Sequence, residues 1–161
     1  MHEGTTNPMR QCRPMGNERL ITYPSGRLLA VADDAATADR AVTALAEAGW
    51  DGGRIDRLAG QAAEWAFDAT GARHGLAARI GRIVQFTLMD QLPDLAWYQA
   101  AARDGRIVLS VPAGDARSGA RAATILAAAG CHFINRFGRF QTEELLRWRG
   151  PEPRVTDVMR R

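Results

Sequence analysis

The sequence predicts an α+β fold made from a duplicated β-α-β unit, with a helical insertion between the two copies. Three observations carry that expectation. A strand–helix–strand pattern near the N-terminus returns near the C-terminus, the first strand of each copy lacks a polar face, and the linking segment is long and helical in pattern.

The first copy opens on the apolar run Arg27–Ala32, read as a strand. Asp33 and Asp34 follow as N-cap candidates, and Ala41, Ala44, Leu45 and Ala48 recur at helical spacing. Gly49 stands where a left-handed C-cap belongs. After the turn Asp51-Gly52-Gly53, residues 54–58 alternate polar and apolar and predict a second strand. In the second copy Val108-Leu109-Ser110-Val111 answers Leu28-Leu29-Ala30-Val31, and Asp115 answers Asp34. Ala122, Ile125, Leu126, Ala129 and Gly130 take the helical and capping positions, and Ile134-Asn135-Arg136-Phe137 answers Ile55-Asp56-Arg57-Leu58. Two such halves are the content of a ferredoxin-like βαββαβ fold with a four-stranded antiparallel sheet.

A sheet wet on one face alternates polar and apolar residues. L-L-A-V and V-L-S-V do not, so both faces of these strands need cover, and the two repeat helices cover only one. The linking segment 61–104 offers helices at 62–67, 76–89 and 94–103, the last with Pro93 in its first turn. Either this insertion or a second subunit closes the open face, which makes a homodimer an expected assembly. Thr142-Glu143-Glu144-Leu145 predicts a cap and a short helix leading to Trp148. The folded domain is therefore expected over 26–148, flanked by disordered tails at 1–25 and 149–161, with 20–23 a short edge strand.

Composition narrows the function. The chain has 161 residues with 46% hydrophobic and 24% charged content, as a globular protein does. All 21 basic residues are arginine, which removes Schiff-base lysines and lysine-bearing phosphate loops. A net charge of +3, spread along the chain, does not call for nucleic acid. No apolar run reaches the ~18 residues of a membrane span, and the N-terminus lacks the apolar core of a signal peptide. A cytoplasmic, membrane-free protein is expected. Cys131 reads as a small core residue, Cys12 lies in the polar tail, and neither belongs to a zinc spacing. No nucleophile stands in a recognisable setting and no pattern names a cofactor, so a non-enzymatic interaction module is expected, the alternative being a small-ligand or anion-binding protein, or an enzyme, with a pocket around Asp68, His74 and His132.

With these residues in view, the chain resembles small bacterial proteins of the general stress protein 17M-like (heat-induced stress protein) kind. It is most similar to a soluble, uncharacterised group with a D-x-T-G-x-x-H-G motif. The resemblance covers roughly 27–145 and includes A-V-x-D before the first helix, A-G-W-D after it, and Asp68-x-Thr70-Gly71-x-x-His74-Gly75. It also includes Tyr98-Gln99-Ala100-Ala101 and F-I-N-R-F-G-R-F at 133–140. Many such relatives carry a glycine-rich, membrane-like hairpin between the halves. Here Arg73, Arg79 and Arg82 make that region too charged to span. The resemblance implies a stress-associated role and transfers no catalytic residue.

Two stretches hold the candidate site. In 68–79, Asp68 can orient His74, Thr70 can bond the backbone, and Arg73 and Arg79 can hold an anion. The competing reading is a helix–turn–helix joint written in ordinary turn residues. The second stretch offers His132, Asn135, Arg136 and Arg139, with alternation placing His132, Ile134 and Arg136 on one face. His74, His132 and Asp68 would be the nearest approach to a metal set, but no ligand spacing supports one. RNA modules of the βαββαβ plan stack bases on aromatics of their central strands, and these strands offer Leu, Ala, Val and Ser instead.

Overall fold

Aspartate caps and glycine stops set the helices. The computed structural model describes residues 24–60, 92–138 and 141–154. Helix α1 (Ala35–Glu47) starts where the Asp34 carboxylate accepts the Thr37 N–H at 2.7 Å. It ends with the Trp50 N–H on the Leu45 carbonyl, around Gly49 at φ +98°. Helix α3 (Ala116–Ala128) repeats the plan with a reciprocal Asp115–Ser118 capping box and Gly130 at φ +100°. Between them lies α2 (Leu92–Arg103), the last helix expected of the insertion.

The strands are β1 (Arg27–Ala32), β2 (Asp56–Leu58), β3 (Ile107–Pro112), β4 (His132–Phe137) and β5 (Thr142–Leu146). They form one antiparallel sheet in the order β2-β3-β1-β4-β5. Central β1 pairs Leu28 with Val111 on one side and with Arg136 on the other. The fold is α+β, with three α-helices and five strands among the described residues. Residues 54 and 55 do not extend as a strand: Gly52–Arg54 forms a 3-10 turn and β2 is confined to Asp56–Leu58.

Both faces of the inner strands are covered. Leu28, Ala30, Leu109 and Val111 face Ala41, Leu45, Ala122 and Leu126 of α1 and α3. Leu29, Val31 and Val108 face Leu95, Tyr98, Ala101 and Ala102 of α2. The missing alternation in L-L-A-V and V-L-S-V thus has its cause, since part of the insertion supplies the second layer.

Two expectations fail here. Residues 142–145 form no helix but the edge strand β5, making the sheet five-stranded rather than four-stranded. T-E-E-L carries a helix-start pattern, but Glu143 lies opposite Arg136 and forms an ion pair with it. Leu145 and Leu146 also pack on the α1/α3 core. Pairing and burial override the local preference. Nor do His132, Ile134 and Arg136 share a face. Phe133 takes φ +45°, the β1–β4 register shifts there, and His132 turns to Trp148 while Ile134 joins the α1/α3 core. Residues 149–154, assigned by composition to the C-terminal tail, fold back over that sheet end. There the Pro151 carbonyl accepts from Arg106, and Pro153 is buried.

Candidate functional site

Asp68, Thr70, Arg73, His74, Arg79 and Arg139 lie outside the described residues, as do the helices expected at 62–67 and 76–89 and the strand expected at 20–23. The three remaining candidates, His132, Asn135 and Arg136, are consecutive on β4 or nearly so, yet the structure sends them to three different environments.

His132 is buried in a latch at one end of the sheet. Its Nε2 lies 3.2 Å from the Asp33 carboxylate, and its Nδ1 accepts the Arg149 backbone N–H at 3.3 Å. With Nδ1 accepting, Nε2 carries the ring N–H and donates it as a hydrogen bond to the Asp33 carboxylate. Arg106 donates to the same carboxylate at 3.0 Å and stacks over Trp148 at 5.0 Å. The Trp148 ring closes edge-on against His132 at 4.8 Å. Each ring nitrogen of His132 is engaged by the protein.

Asn135 points to the other layer. Its side-chain N–H donates to the Tyr98 hydroxyl at 2.9 Å, and that hydroxyl lies 2.7 Å from the Phe133 carbonyl and 3.1 Å from that of Leu29. Burial drives the Tyr98 hydroxyl well above its ordinary pKa, so it remains a neutral donor. One turn earlier on α2, burial and the nearby Glu144 raise the Asp94 carboxyl. Glu144 is the cross-strand partner of Asn135. The aromatic cluster around this pair, with Trp97, Tyr98, Phe133 and Trp148 at centroid distances of 4.8–5.7 Å, was not legible as a cluster in the sequence.

Arg136 crosses beneath α3. Its guanidinium sits 2.9–3.0 Å from Glu143 Oε2, and its side chain runs against Gly119, where a Cβ would collide with Arg136 Cδ. The glycine is what admits a long cation under the helix. Among the described residues, no three His, Cys, Asp or Glu side chains gather as metal ligands. Cys131 is buried, and burial pushes its thiol up to about 11, which marks an inert core thiol.

No known family model, curated protein or solved structure matches this chain. Its site has to be read from its own geometry.

That geometry includes a groove the sequence reading missed. It has a volume of about 620 Å³ and runs between the end of α1 and the start of α3, lined by Trp50, Asp51, Arg54, Arg117, Ser118 and Arg121. Trp50 is fixed by its indole N–H on the Pro112 carbonyl at 3.0 Å. Arg121 stacks over that ring at 5.0 Å and donates to the Ala48 carbonyl at 2.7 Å. Asp51 and Asp115 are turned to backbone: each accepts an amide N–H, from Gly53 at 2.9 Å and Ser118 at 2.8 Å. The Ser118 bond holds the Asp115 carboxyl below its ordinary pKa. The only sequence signal for this place was the longer turn after the first repeat helix.

Proposed function

We propose that the chain is a non-enzymatic binding module of ferredoxin-like plan, serving a stress-associated or regulatory role. The observation that carries the non-enzymatic part is the engagement of β4. His132, Asn135 and Arg136 are each spent on latch, core and ion pair, leaving none positioned to move a proton on a substrate. The ferredoxin-like part is supported by strand order, because β4, β1, β3 and β2 are neighbours in that sequence and α1 and α3 pack on one face. The stress setting rests on the resemblance alone.

Homodimerisation belongs to the same reading. Among the described residues β5 is an outer strand, and Leu145 and Leu146 on it are half-buried. An outer strand is a template for a second chain. Light scattering is expected to give twice the chain mass, and a single-chain mass at all concentrations removes the dimer. Among the described residues no helix is long and apolar enough to cross a membrane. RNA binding in the sheet-face manner loses support because α2 covers that face.

The test of the central claim is His132→Ala. A latch residue predicts a lower melting temperature in the absence of any ligand, by about 1–3 kcal/mol of stability. An unchanged melting temperature, together with loss of a ligand-induced rise seen in the wild type, returns His132 to a binding role.

A further inference from the structure

The two repeats differ most where the groove lies. From the capping glycine to the first residue of the next strand the first half runs Gly49 to Asp56, whereas the second runs Gly130 to His132. The added residues form the 3-10 turn Gly52–Arg54 and carry Arg54 to the groove wall. In the second half β4 begins directly after Cys131.

Three arginines line this space, Arg54, Arg117 and Arg121. The side chains of Arg54 and Arg117 are exposed and have no hydrogen-bond or ion-pair partner among the described residues. The two carboxylates nearby, Asp51 and Asp115, stay ionised on backbone amides, and against three arginines they leave one positive charge in excess. Arg117 also stands in the first turn of α3, where a cation opposes the helix dipole and is electrostatically disfavoured. Arg121 is held in place by the Trp50 ring and the Ala48 carbonyl, so its guanidinium is ordered before any ligand arrives.

We propose that this groove binds a phosphate-bearing small molecule, whose phosphate oxygens are gripped by Arg54, Arg117 and Arg121 with Trp50 as the apolar wall. Several guanidinium forks favour phosphate over a carboxylate. A carboxylate has two oxygens and one charge, enough for a single guanidinium, while a phosphate presents three or more oxygens and up to two charges. The groove volume of about 620 Å³ lies in the range of small-molecule sites. The proposal rests on the reading of the chain as a binder rather than a catalyst.

Phosphorus NMR titration of the full chain with inorganic pyrophosphate tests both, since it reports binding and cleavage separately. The wild type is expected to give a saturable shift or broadening of the pyrophosphate signal. Arg54→Gln/Arg117→Gln changes exposed side chains, so its melting temperature should hold, and binding should weaken by about ten-fold or more. Arg147→Gln/Arg149→Gln, at the other end of the sheet, removes the same charge and should leave binding unchanged. No saturable signal, or equal loss in both double variants, overturns the groove as a site while leaving the non-enzymatic reading in place. Conversion to orthophosphate that Arg54→Gln/Arg117→Gln abolishes supports the groove and overturns the non-enzymatic reading.

Discussion

Tyr98 shows what one buried hydroxyl does in this core. It accepts from Asn135 and donates toward the carbonyl of Phe133, the residue whose positive φ bends β4. The strained residue, the bulge and the helix above it are therefore tied at one oxygen. Tyr98→Phe keeps the ring and deletes that oxygen, leaving buried carbonyl and amide groups short of a partner. The expected loss is about 1–3 kcal/mol by urea denaturation. A neutral result would mean that water or another side chain replaces the bond. Asn135 was singled out in the sequence as a polar residue on a strand, which was correct as chemistry and silent about its partner. Tyr98 lies 37 positions away on a helix of the other layer.

At the scale of elements, α1 and α3 hold each other by their ends. Arg121 of α3 donates to the Ala48 carbonyl that closes α1, and Arg40 of α1 donates to the Ala129 carbonyl that closes α3. Ala48 and Ala129 are equivalent in the repeat, and so are the two arginines, so the clamp is reciprocal. Each places a cation on the negative end of a helix. The Arg121 bond is the shorter, 2.7 Å against 3.4 Å. Removing either arginine should cost roughly 0.3–1 kcal/mol, with Arg121→Ala the larger. Single and double variants as stable as the wild type would show that the contacts contribute nothing. The repeat was readable because caps and apolar spacing are local. The clamp was not, because it joins residues 73 and 89 positions apart.

For the whole molecule, stability against pH follows from groups shifted in opposite directions. Asp34 and Asp115 cap helices with backbone amides and have lowered pKa values. Their contribution is present above the ordinary carboxyl value and fades as the pH falls below it. Asp94 has a raised pKa and acts with the opposite sign in acid. On the alkaline side the Cys131 thiol ionises near 9 when unfolded and at about 11 when folded. Its contribution is full below 9 and is lost between 9 and about 11, because only the unfolded chain releases the proton. Tyr98 adds a loss of the same sign above 10. Urea midpoints should therefore hold up to about pH 9 and then decline, and Cys131→Ala should move that onset upward. An onset that stays at 9 in this variant assigns the decline to another group.

Local pattern was enough to read the repeat, the aspartate caps, the glycine stops, the inner strands and the need for a second layer. All of these are written in neighbours three or four positions apart or in alternation along one strand. Long-range packing made 142–146 a strand, turned His132 from the face of Arg136, and brought Trp50, Arg117 and Arg121 to one groove. Those outcomes depend on pairing and packing between distant segments. A local pattern such as T-E-E-L is overruled when extending the chain gains an ion pair, a backbone ladder and two half-buried leucines together.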